Sequence, residues 1–165
     1  MRANYLGVGL PAFVGSIGLL RRMVDEEEEW LAEWDEFTSV YRFPLARRIE
    51  GTSYRSCLEP AVAESFGLDS RRDFIVSGLP KAHYQAPVEW AVDAPPQWVL
   101  VEFFPVELYG RSAVDKLARA RTLRWLSGAE LVAGSTADGA ALDPYQCELI
   151  RRADVVAARH REAGK

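Results

Sequence analysis

Residues 98–106 read WVLVEFFPV, an apolar run whose only charge is Glu102. A run of this length and β-branched content reads as a strand buried on both faces. A carboxylate in such a strand needs a partner or a cation. As a central strand it requires neighbouring strands beside it and layers above and below; an edge position or a salt bridge is the alternative account of Glu102. Upstream, Val88, Trp90 and Val92 alternate with Glu89, Ala91 and Asp93, which predicts a second strand, and Pro95-Pro96 forces the reversal between the two. Downstream, Ser112 with Asp115 three residues on predicts a helix start. Val114, Leu117, Ala118 and Leu126 then turn inward, and Gly128 ends the helix.

The flanking sequence supplies more elements. Residues 19–37 (LLRRMVDEEEEWLAEWDEF) predict a helix with Leu20, Met23, Val24, Trp30, Leu31 and Trp34 as its apolar stripe. The acidic run at 25–29 points around that whole helix, which marks a solvated face and not a metal cluster. Ser56 with Glu59 forms a capping-box pattern for a helix lined by Leu58, Val62 and Phe66, with Pro60 in its first turn and Gly67 as its stop. Residues 73–78 predict a strand, with His83 in the connection that follows, and residues 130–135 (ELVAGS) predict another. Asp143, Pro144 and Gln146 together open a last helix, with Leu149, Ile150, Ala153 and Val156 facing inward. The expected fold class is α/β: one domain, with a central mixed β-sheet flanked by helices.

Charge and composition narrow the function. At 165 residues and 48% hydrophobic, the chain can bury a single core without a staple. Cys57 and Cys147 belong to no CxxC pair, so a structural zinc site is not expected and a reducing, cytoplasmic setting is. Basic against acidic residues number six to nine over 1–50, four to eight over 51–110 and ten to seven over 111–165. The last segment, almost entirely arginine among its cations, is therefore where phosphate contacts are expected. The net charge of −4 argues against tight nonspecific binding to nucleic acid.

Residues 3–20 carry no charge, but four glycines, a proline and an asparagine weaken them as a membrane span. They also lack a small-x-small cleavage site. Gly7-Val8-Gly9 has no adequate strand before it, and Pro11 stands where a dinucleotide-loop helix would begin. Residues 1–20 are accordingly read as an apolar N-terminal arm and residues 21–165 as the domain.

The order of these elements, with Tyr54-Arg-Ser-Cys-Leu-Glu59, the strand-opening Pro87, VLVEFFPVE and the helix after it, resembles the PD-(D/E)XK nucleases. Among these, the resemblance is to the TnsA-like endonuclease subunits of heteromeric transposases. It runs over residues 54–135. It implies a restriction-endonuclease-like fold and metal-dependent cleavage of DNA. Glu59 matches the helix glutamate, with Glu64 as a substitute, and Glu102 matches the second-strand acid. Glu89 or Asp93 would complete a Mg²⁺ site with Glu102. The sequence departs from the family at Val88, where an aspartate is expected, and at Phe104, where the motif lysine is expected; Lys116 from the following helix is the substitute. The expected partners are DNA and other protein subunits of a transposition or phage complex. The alternatives are a catalytically inactive DNA- or protein-binding module, or an unrelated structural protein of a phage or mobile element.

Overall fold

In the computed structural model the described residues are 13–89, 93 and 95–156. The sheet is built around two long strands, β1 (Phe13–Val24) and β7 (Gln97–Leu108), which run parallel from Phe13↔Val99 to Leu20↔Val106. The uncharged stretch read as part of an N-terminal arm is thus, from Phe13 to Leu20, the centre of the molecule. Its glycines serve close approach. A Cβ on Gly15 would collide with the Ala46 carbonyl and the Phe13 ring, and one on Gly18 would lie 3.0 Å from Val62 Cγ2.

Around this pair, β4 (Leu45–Arg47) adds antiparallel to β1, while β5 (Phe74–Val76) and β6 (Ala82–Val88) add antiparallel to successive parts of β7. Beyond Leu20, β1 changes partner and pairs with β2 (Glu27–Asp35) from Arg21↔Trp30 onward. β2 also pairs with β3 (Val40–Arg42) and β8 (Leu123–Ser127). Among the described residues the result is one mixed, eight-stranded sheet.

The helix expected over residues 19–37 is instead the β1–β2 hairpin. Its turn is Asp25-Glu26, with φ of 49° and 68°, the two-residue geometry that matches strand twist. The glutamates that looked like a solvated helix face lie across from arginines, with Arg21–Glu28 and Arg22–Glu29 each at 2.6 Å. Trp30, Leu31 and Ala32 are consecutively buried, as a strand covered on both faces requires.

Helix α1 (Tyr54–Phe66) begins one turn earlier than expected. Ser53 is its N-cap, accepting from the Ser56 amide at 3.1 Å, and Pro60 lies inside the helix. The face Leu58, Val62 and Phe66 is buried as expected, and Gly67 closes the helix at φ 64°. The strand expected at 88–93 lies earlier, as β6, so His83 is a strand residue and Glu89 falls just past the strand end. Trp90, Ala91 and Val92 lie outside the described residues. Helix α2 (Gly110–Arg119) ends before β8, which occupies the stretch read as the rest of that helix. The expected strand at 130–135 is helix α3 (Gly128–Ala133), because Ser127 and Glu130 form a capping box. The last helix, α4 (Pro144–Arg152), is capped by Asp143 as expected, through the amides of Tyr145 and Gln146.

Two apolar clusters occupy opposite faces of the sheet. Val99, Val101 and Phe103 pack with Leu131, Leu149 and Ile150 on the side of α3 and α4. Phe104 and Val106 pack with Leu58, Val62, Ala113 and Leu117 on the side of α1 and α2. The α/β architecture, one mixed sheet between helical layers, is as expected.

Candidate functional site

The structure separates the five residues expected to act together. Glu102 sits on β7 between Ser16 of β1 and His83 of β6, and its partner is His83, with Nδ1 at 3.6 Å. Glu59, on the outer part of α1, lies 3.5 Å from Arg55 one turn back. Glu89 and Asp93 are exposed beyond the end of β6. Lys116 binds Asp73 at 2.6 Å and ties α2 to the segment before β5. Among the described residues no three of His, Cys, Asp and Glu are grouped so that they could hold a metal ion. Cys57 and Cys147 are free thiols. Burial, with the Asp143 charge adding to it, pushes the Cys147 thiol up to about 11.

A different constellation gathers around the short strands β3 and β4. Two cavities share Arg42 and Leu45 in their walls. The first, of about 410 Å³, is bounded by Phe13, Arg47, Val99, Tyr145 and Leu149. Two guanidinium groups therefore stand beside aromatic and aliphatic side chains. The Arg47 guanidinium lies 5.3 Å over the Phe13 ring, and Arg42 reaches Asp35 at 3.0 Å and Asp143 at 4.0 Å. Planar guanidinium groups beside flat apolar surface suit a ligand with phosphate and ring components.

The second cavity, of about 470 Å³, is acidic. Glu33 and Asp35 from β2 face Glu64 and Ser65 of α1, with Trp34 and Phe37 alongside. Burial raises the Glu33 carboxyl above its ordinary value. The Ser65 hydroxyl opposes this, and the charges of Asp35 and Glu64 add to it. Asp35 is held low, chiefly by the Arg42 hydrogen bond and then by Thr38. The donor set does not fit a divalent cation. Asp35 is committed to Arg42 and to the Phe37 and Thr38 amides, which leaves Glu33, Glu36 and Glu64, and among the described residues no three such side chains are grouped closely enough to hold an ion.

Two backbone ties hold this region. The buried Gln146 amide accepts from the Phe43 N–H at 2.7 Å and donates to the Phe43 carbonyl at 3.0 Å, fixing α4 to the β3–β4 link. Trp34 meets Tyr41 edge-on at 5.0 Å. Of the groove residues, the sequence offers only Glu64 as a site candidate, while Trp34, Pro95, Asp143, Gln146 and Leu149 read as stripe, turn or cap residues. Arg42 and Arg47 sit on three-residue strands with no local pattern to announce them.

No protein-family model and no curated protein matches the chain. Solved structures do match its fold. NrtR of Shewanella oneidensis, solved with a 27mer DNA, superposes with a TM-score of 0.54 at 12% identity, covering 85% of this chain and 59% of NrtR. The Nudix hydrolase RenU of M. smegmatis gives 0.51 at 14% identity, over 90% of each chain. A mutT/nudix family protein from Listeria innocua gives 0.51 at 12% identity, over 89% of this chain and 94% of its own. The fold is Nudix-like.

That likeness overturns the resemblance to PD-(D/E)XK nucleases and TnsA-like subunits, and with it the transposition and mobile-element setting. The motif that suggested it, Tyr54 to Glu59, is the first turn and a half of a helix whose own capping and ion pairing explain it. Phe104 is buried core on the α1 side and does not stand in for a missing lysine. Among the described residues, no helix is long and apolar enough to cross a membrane.

Proposed function

We propose that this Nudix-like chain binds a nucleotide-derived phosphoester in the groove centred on Arg42, as a recognition module and not as a metal-dependent hydrolase. The observation that carries this reading is that a single guanidinium, Arg42, walls both cavities. One chamber offers Arg47 and the Phe13 and Tyr145 rings to phosphate and base, and the other places carboxylates beyond it. In this reading Arg47 and Arg42 hold the phosphates by charge-assisted hydrogen bonds. The aromatic and aliphatic wall packs the ring, and Glu33 and Glu64 disfavour any further anionic group at the acidic end.

Nudix hydrolases use divalent metal ions, typically Mg²⁺. The acidic chamber supplies Glu33, Glu36 and Glu64 besides the Arg42-bound Asp35, but among the described residues no three such side chains are grouped as such a centre requires. One observation favours a second reading, in which the chain retains phosphoester hydrolysis. Glu33 is half-buried beside Asp35 and Glu64, an excess of negative charge that a bound cation would relieve.

Calorimetric titration of a nucleoside diphosphate into the protein, in EDTA and then in Mg²⁺ or Mn²⁺, separates the readings. Recognition predicts saturable binding in EDTA and no release of phosphate or nucleoside monophosphate in either metal. Turnover that needs metal and disappears in Glu64→Gln would establish the second reading. NrtR is solved with DNA, and a mobility-shift titration at low salt tests the same partner here.

A further inference from the structure

A further cavity, of about 920 Å³, lies elsewhere, at the point where β1 leaves β7 and joins β2. The last β1–β7 pair is Leu20↔Val106 and the next β1 residue, Arg21, pairs with Trp30. The sheet divides there, at the carboxyl-terminal end of the parallel pairing, the side on which open α/β sheets leave a crevice. Leu20, Leu31, Val106, Leu117 and Trp125 line its floor and walls, and α2 forms its roof. The volume falls at the upper end of those that hold small organic ligands.

The rim is cationic and unevenly neutralised. Arg21 and Arg22 are each paired with a glutamate at 2.6 Å, and Arg22 also lies 4.4 Å over the Trp125 ring. Lys81 is different. Its backbone amide donates to the Phe103 carbonyl at 2.7 Å, which anchors it beside β7, while its ammonium has no ion-pair partner among the described residues. One carboxylate, Glu107, shares the rim with these three cations. The roof is held in place by Lys116, whose bond to the buried Asp73 fixes α2 against the body of the fold.

We propose that this crevice is a second binding site, separate from the Arg42 groove, for a small amphipathic acid. The apolar body lies against Val114, Leu123 and Trp125, over the buried floor of Leu20, Leu31, Val106 and Leu117, and the carboxylate or phosphate head meets the Lys81 ammonium. Apolar surface supplies the affinity, and the ammonium, unpaired among the described residues, supplies the selectivity for an acid.

The test is a titration of decanoate and of 1-decanol, both below the concentrations at which they self-associate, followed by tryptophan fluorescence since Trp125 lines the site. The expected result is saturable quenching by both, with decanoate bound roughly tenfold more tightly, the scale of one hydrogen bond to a charged group. Lys81→Met removes that preference and leaves decanol binding unchanged. Ala118→Trp, at an exposed roof position, fills the cavity and abolishes both. Arg47→Ala, in the other groove, changes neither. Equal affinity for acid and alcohol in the unaltered protein, no saturable binding, or binding that survives Ala118→Trp each overturns the proposal.

Discussion

Asp73 is 2% exposed, yet it keeps a charge, because the Lys116 ammonium reaches it at 2.6 Å and the Asp69 amide at 2.8 Å. The Lys116 hydrogen bond is the main reason its carboxyl is held below the ordinary range. A depressed carboxylate stabilises the fold fully above its unfolded value near 3.9, and that contribution is lost as pH falls through the lower folded value. Lys116→Met is therefore expected to lower the melting temperature at pH 7, with the gap from the unaltered protein narrowing below about pH 4. A gap that stays constant from pH 7 to pH 2 would contradict this role. Gln146 makes a second prediction. Gln146→Leu leaves the buried Phe43 N–H and carbonyl unpaired, each at a cost of about 1–3 kcal/mol, measurable by urea unfolding. Single residues were unevenly legible in the sequence. The Asp143-Pro144 cap could be read because capping is local. The partners of Lys116 and Gln146 lie 43 and 103 residues away, where no spacing rule reaches.

At the level of elements, the contrast between hairpin and helix over residues 19–37 shows where local reading fails. Leu20, Met23, Val24, Trp30, Leu31 and Trp34 satisfy a helical stripe, and the turn carries neither Gly nor Asn to announce a hairpin. Asp25 and Glu26 adopt positive φ all the same, because β1 and β2 gain two-sided burial and the Arg–Glu pairs across the ladder. The turn therefore carries strain that a better turn residue relieves. Glu26→Gly is expected to raise stability by about 0.5–1 kcal/mol, read as an increased denaturation midpoint with an unchanged slope. A loss of stability would contradict the turn geometry. The segment at 127–133 is the opposite case. Its capping box, Ser127 with Glu130, is present in the sequence, but the apolar run ELVA was read as a strand because length alone does not separate a short strand from a short helix.

Across the whole molecule, the mixed sheet between helical layers could be inferred from element order, because buried and amphipathic segments alternate along the chain. The topology could not. It rests on the parallel register of Phe13–Leu20 with Val99–Val106 and on the change of partner at Arg21, both long-range choices. The same register pairs Phe13 with Val99 at one end of the sheet, where Leu149 of α4 and Arg42 and Arg47 meet them, so the groove exists only once the fold is formed. The departure from β7 at Leu20 opens the second cavity by the same logic. Among the described residues one scaffold thus presents spaces of different chemistry, one lined by arginine, aromatic and acidic groups, the other with an apolar floor and a rim of Arg21, Arg22, Lys81 and Glu107. Calorimetric titration of ADP in EDTA, with the unaltered protein and with Arg47→Ala, tests the recognition reading most directly. The account predicts saturable, metal-independent binding weakened roughly tenfold or more by the substitution. Absence of binding, or an Arg47→Ala affinity equal to that of the unaltered protein, would contradict it.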